Sequence, residues 1–169
     1  EILIGLVGSE MCIRDSILSV LASDFDKPVG LVITSPPYPN AYEYWLYHKY
    51  RMWWLGFDPI QVRTFEIGAR PHYQKKNGQT EEDFRKQMSS VFDLLSDVLL
   101  SGGHVCFVVG RSVIKGKIVD NAELIRNVAE NHKMVLVANI ERGIAATKKS
   151  FNLKYGKIKT ENILIFRKD

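Results

Sequence analysis

Cysteine is nearly absent from this chain. Cys12 and Cys106 are the only two, and neither has metal-ligand spacing to a partner. That excludes a disulfide scaffold and a zinc-ribbon type of site, and it fits a reduced, cytoplasmic protein. No metal is expected. No apolar run approaches the roughly 20 residues that a membrane-crossing helix needs, so no membrane partner is expected either. Internal repeats are also missing, which excludes a solenoid or a propeller. Neither sign of charge dominates: 23 Lys and Arg stand against 19 Asp and Glu, for a net charge of +4. That balance permits a polyanionic partner without requiring one. What is there is 169 residues, 46% of them hydrophobic, enough for one domain with a real core.

The most distinctive stretch is Thr34-Ser35-Pro36-Pro37-Tyr38-Pro39-Asn40. It follows Val29-Gly30-Leu31-Val32-Ile33, an apolar run that reads as a buried strand of a parallel sheet. The loop therefore sits at the carboxyl end of a strand, the edge where open α/β sheets bind ligands. Each proline fixes its own φ, removes an N–H and pushes the preceding residue into extended geometry. The outcome is a stiff loop that neither continues as a helix nor pairs as a strand. Ser35 adds a hydroxyl acceptor, Pro36 a rigid carbonyl acceptor and Tyr38 a flat ring. Two acceptors beside an aromatic plate suit a planar ring that carries an amino group, such as a nucleobase.

On these residues the chain resembles the amino-methylating DNA methyltransferases, whose catalytic loop reads Ser, Asp or Asn, then Pro-Pro, then an aromatic. The Ser-Pro-Pro-Tyr form at 35–38 resembles the branch that modifies cytosine at N4. The resemblance implies an α/β fold: the C-terminal part of a Rossmann-like S-adenosylmethionine-dependent sheet, mostly parallel with an antiparallel edge pair. It implies S-adenosylmethionine as cofactor, DNA as partner, and Ser35, Pro36, Pro37 and Tyr38 as catalytic residues. Thr34 and Gly110 are the cofactor-side candidates. Adenine, an RNA base or a catalytically incomplete nucleic-acid-binding fragment stay open as alternatives. The resemblance covers residues 24–168. The family's glycine-rich loop and ribose-binding acid are not visible, so a truncated chain is expected.

Residues 1–16 fit poorly with the rest and lack clear periodicity. Residues 6–16 resemble translated adapter sequence, and on that reading 17–169 is the catalytic part of the domain. The competing reading makes Ile2-Leu3-Ile4-Gly5 a first strand, with Gly5 and Gly8 in a cofactor loop.

Residues 42–57 are aromatic almost all round, with Gly56 as a helix stop. Leu46, Tyr50, Trp53 and Trp54 are expected in the core, and Tyr42 and Tyr44 near the substrate. Residues 58–79 read as a long basic loop, with Arg70 a candidate for phosphate contact. Thr80 opens a helix with Asp83 as capping-box partner, and Phe84, Met88, Val91, Leu95 and Val98 follow helical spacing up to Gly102-Gly103. A strand over 104–109, a helix over 120–131 and strands over 134–140 and 161–166 complete the pattern. Between the last two strands, Lys148, Lys149, Lys154 and Lys157 interleave with Phe151 and Tyr155, a mixture that suits a nucleic-acid surface.

Overall fold

The computed structural model describes residues 16–144 and 160–169. After two single-turn 3₁₀ segments, Ile17–Ser19 and Ala22–Asp24, the first strand β1 spans Val29–Thr34. Four short helices follow: α1 (Tyr44–Tyr47), α2 (Lys49–Trp54), α3 (Pro59–Phe65) and α4 (Arg70–Gln74). The long helix α5 (Glu81–Val98) runs straight into β2 (Leu99–Gly110). A small hairpin, β3 (Ser112–Ile114) and β4 (Lys117–Val119), precedes α6 (Asn121–Asn131). The chain closes with β5 (Met134–Gly143) and β6 (Thr160–Lys168).

The main sheet has the order β1-β2-β6-β5. β1 and β2 are parallel, with Thr34 opposite Phe107, while β6 lies antiparallel to both β2 and β5. The expected antiparallel edge pair is present. Among the described residues the parallel part is the β1–β2 junction alone.

One face of the sheet is covered. Helix α5 buries Phe84, Met88, Phe92, Leu95 and Val98, a stripe at helical spacing. Helix α6 buries Ala122, Leu124, Ile125, Val128 and Ala129. Both pack over Val105, Phe107, Val109, Leu164 and Phe166. Phe92 is the hub, its ring centroid 5.3 Å from Phe107 and 6.1 Å from Phe166. Val91, expected in this stripe, lies at its margin.

The other face is apolar and, among the described residues, only partly covered. Register places Ile33, Cys106, Ile165 and Ala138 in one row and Val108, Ile163 and Ile140 in the next. Ile33 is 69% exposed and Leu31 58%. Parallel strands are ordinarily covered on both sides.

Three expectations need correction. Residues 58–79 are not one loop but carry α3 and α4, with Asp58 accepting from the Ile60 N–H at 2.9 Å ahead of Pro59. Helix α5 stops at Val98, well before Gly102-Gly103, because Leu99 already pairs with Val29. Leu46, Tyr50, Trp53 and Trp54 are exposed rather than buried, Trp54 at 91%. Their segment breaks at His48 into two short helices, so no single face is long enough to bury them.

Candidate active site

The loop after β1 lies at the carboxyl end of the parallel pair. Ser35 is exposed, Pro36 buried, and Pro37 and Tyr38 half-buried. The Ser35 hydroxyl donates to the Val108 carbonyl across the strand boundary at 3.2 Å. The same hydroxyl also lies within hydrogen-bonding reach of the Tyr38 phenol. Proline rigidity and these two contacts together fix its position.

Tyr38 reaches across the sheet edge. Its hydroxyl donates to Glu161 Oε1 at 3.1 Å, and Glu161 Oε2 in turn accepts from Arg142 Nη2 at 2.7 Å. Burial, then the Glu161 carboxylate, pushes the Tyr38 phenol up to about 12, so it stays a neutral donor. Glu161 and Arg142 face each other on β6 and β5, and Glu161 also faces Gly110 on β2. Four strands therefore contribute to one edge.

The loop is braced from below by a run whose alternate residues each hold it. Glu66 accepts from the backbone N–H of Tyr44 and of Trp45, both at 2.8 Å. Desolvation raises the Glu66 carboxyl above its ordinary value, against those two bonds. The Gly68 carbonyl accepts from Asn40 N–H at 2.9 Å. Arg70 Nη2 donates to the Ala41 carbonyl at 2.8 Å. The side chain expected to meet phosphate is thus half-buried and turned onto the loop.

Of the cofactor-side candidates, Thr34 is half-buried and Gly110 buried. The Gly110 carbonyl accepts from Asn121 Nδ2 at 2.7 Å, and the Ser112 hydroxyl donates to Asn121 Oδ1 at 3.2 Å. Asn121, 1% exposed, thereby ties the end of β2 to the start of α6. Tyr42 and Tyr44 are exposed with ring centroids 5.8 Å apart, close to the loop in sequence. Lys148, Lys149, Phe151, Lys154 and Lys157 lie outside the described residues.

Sequence reasoning missed Glu161, Arg142 as its partner, and the bracing by Glu66 and Gly68. The signal for Glu161 was a lone acid opening an apolar strand. Its partners become visible only through strand register.

Among the described residues no group of three or more His, Cys, Asp or Glu could hold a metal, and no helix is long and apolar enough to cross a membrane.

No protein-family model matches the chain, and none of the curated proteins does. Among solved structures, three of a Thermus thermophilus protein assigned as a DNA modification methylase superpose on it, with TM-scores of 0.50, 0.51 and 0.52. Identity is 19–20% over 87% of this chain, and one of the three is complexed with S-adenosyl-L-methionine. The chain spans about half the length of that protein, 48–51%. At this identity the likeness is one of fold alone: the described strands and helices share a Rossmann-like α/β arrangement with that protein.

Proposed function

We propose that this chain is the base-gripping part of a DNA methyltransferase that modifies an exocyclic amino group, with cytosine N4 as the target. The observation that carries this reading is the hydroxyl of exposed Ser35, held by Val108 beside a proline-fixed carbonyl. A base inside a duplex is out of reach, so the target is rotated out into the site. Tyr38 stacks on it, its hydroxyl anchored by Glu161. The amino group is a weak nucleophile because its lone pair is drawn into the ring. Its two N–H groups donate to Ser35 Oγ and the Pro36 carbonyl, which favours the tetrahedral nitrogen and stabilises the positive charge that develops on it. Alignment of the donor methyl with that nitrogen supplies the rest. No strong general base is required, because the nitrogen becomes acidic once alkylated.

S-Adenosylmethionine is the proposed methyl donor and supplies an electrophilic methyl group when bound. The described residues fit one side of it. Thr34 and Gly110 end the two parallel strands, and small residues there leave room for a ligand at the sheet edge. Asn121 takes the Gly110 carbonyl and the Ser112 proton, which leaves the Ser112 oxygen free to accept.

The partly covered sheet face favours a second reading alongside the first. Ile33 and Leu31 are too exposed for a finished parallel sheet, and the outer edge of β1 has no neighbour among the described strands. On this reading the chain binds nucleic acid but needs further βα structure over that face to complete the cofactor site.

Titration with S-adenosylmethionine, followed by mass analysis of nucleosides from treated DNA, separates these readings. Cofactor binding with N4-methylcytosine supports the first. DNA binding with no cofactor binding supports the second. N6-methyladenine would keep the reaction class and replace the base. Neither DNA binding nor methylated product would end both.

A further inference from the structure

A cleft beside Asn40 takes no part in gripping the amino group. It encloses about 400 Å³ next to α4 and the β3–β4 hairpin. That lies within the range of small-ligand pockets, about 300–1,000 Å³. Lys75, Lys76 and Lys115 line it, and no carboxylate does.

Two buried polar atoms on its lining residues lack a partner: the Tyr73 hydroxyl and Asn40 Oδ1. Tyr73 is only 3% exposed, and burial, then Asp83, raises its phenol well above the ordinary value, so the O–H remains available to donate. Asn40 Nδ2 donates to the Val113 carbonyl at 2.8 Å, which fixes the amide and leaves Oδ1 able only to accept. The cleft thus has three cations, with a neutral donor and an acceptor buried on two of the residues that line it.

Lys115 adds an independent sign. It holds a left-handed φ of 48° at the hairpin tip, where Asn or Gly is the ordinary choice. Its ammonium donates to the Gly78 carbonyl at 3.2 Å, tying the hairpin to the segment after α4. Two further N–H groups remain for a ligand. The two-residue turn accounts for the left-handed φ, and a lysine in place of Asn or Gly there puts a cation at the cleft.

The geometry points to a nucleotide site: the phosphate beside the extruded base lies among Lys75, Lys76, Lys115 and the Tyr73 hydroxyl, and a base N–H of the neighbouring nucleotide donates to Asn40 Oδ1. Asn40 stands two residues after Tyr38, so the site is continuous with the loop, and it rests on the nucleic-acid reading given above.

The test uses the chain with fluorescein-labelled single-stranded oligonucleotides, read by anisotropy across a salt series. For single strands, the slope of log K against log salt is about 0.7 per phosphate contact. Changing Lys75, Lys76 and Lys115 together to Gln removes that one phosphate contact and is expected to reduce the slope by about 0.7. The same change at Lys27, Lys86 and Lys133, exposed lysines elsewhere, is expected to leave it near the parent value. Asn40→Ala is expected to weaken binding of a base-bearing strand several-fold and an abasic strand much less.

An unchanged slope in the cleft variant, or an equal loss in the control, would overturn the site. Equal weakening of both strands by Asn40→Ala would overturn the part assigned to the base. If the parent binds no oligonucleotide, the site and the nucleic-acid reading fail together. If the slope falls as expected but no base is ever methylated, the site stands and the methylation reading fails alone.

Discussion

Gly68 lies directly under Tyr38: a β-carbon built on it would stand 3.3 Å from the Tyr38 carbonyl oxygen and 3.5 Å from that of Pro37. Its φ of +76° is also left-handed, which other residues adopt at a cost of roughly 1–2 kcal/mol. The tight contact is with backbone, which has no rotamer to move aside. The loop that presents Ser35 therefore requires glycine at position 68. Gly68→Ala should lower stability by about 2 kcal/mol in denaturant unfolding and weaken activity with it. Gly30→Ala, whose β-carbon would meet nothing within 4 Å, should cost far less.

Ser35→Ala removes the acceptor while keeping the prolines and the fold. If the hydroxyl acts mainly on the developing charge, single-turnover methyl transfer should fall by about 10²–10³-fold. The dissociation constant for DNA, measured in parallel, should change by less than about threefold, since one exposed hydroxyl adds little to binding. Equal losses in rate and binding would mean that Ser35 only holds the substrate.

Tyr38→Phe tests the link to Glu161. The folded state keeps the Tyr38 proton up to about pH 12, whereas an ordinary phenol loses it near 10.0. A folded-state value above the unfolded one gives stability that is fully present below pH 10 and lost as pH rises toward 12. The wild-type chain should therefore exceed Tyr38→Phe in stability at pH 8, with the gap closing between about pH 10 and 12. Denaturant midpoints across that series are the measurement. A gap that does not narrow would show that the phenol's proton plays no part.

Phe92→Ala should be the most damaging single truncation of the helix-covered core. Its ring is fully buried and touches Phe107 and Phe166. Large aromatic-to-alanine changes of this kind cost about 3–5 kcal/mol. That is a large fraction of a typical total of about 5–15 kcal/mol, so thermal melting should show a partly or wholly unfolded variant.

Much of this was legible in the sequence where one physical signal acted alone. The stripe from Phe84 to Val98 has only one way to bury itself, and Asp83 does accept from the Thr80 N–H, at 2.7 Å, as the capping pattern implied. The strand before Ser35 and the turn after it followed from apolar patterning and proline geometry, but the strand was expected to be buried and none of its residues is. Failures came where signals competed or partners were distant. The segment from Tyr42 to Phe57 spreads its aromatic residues almost all round, so patterning could not assign it a buried face, and most of it faces outward. Helices α3 and α4 are seven and five residues long, too short for periodicity to register, although Asp58-Pro59 and Arg70-Pro71 mark their starts. Arg70 looked like a surface cation, but its bond to Ala41 depends on a loop 29 residues away. Glu161 lies 123 residues from Tyr38, and only the meeting of β6 with β2 joins them.

The row of Ile33, Cys106 and Ile165 has a thermodynamic consequence. Ile33 is two residues from Ser35, on the strand that aims it. Anything that settles on that row binds the folded sheet and not the unfolded chain, so mass action stabilises the sheet in proportion to the concentration of whatever settles there. The stability of β1, and of the loop that presents Ser35 at its end, is then set partly from the far face of the sheet.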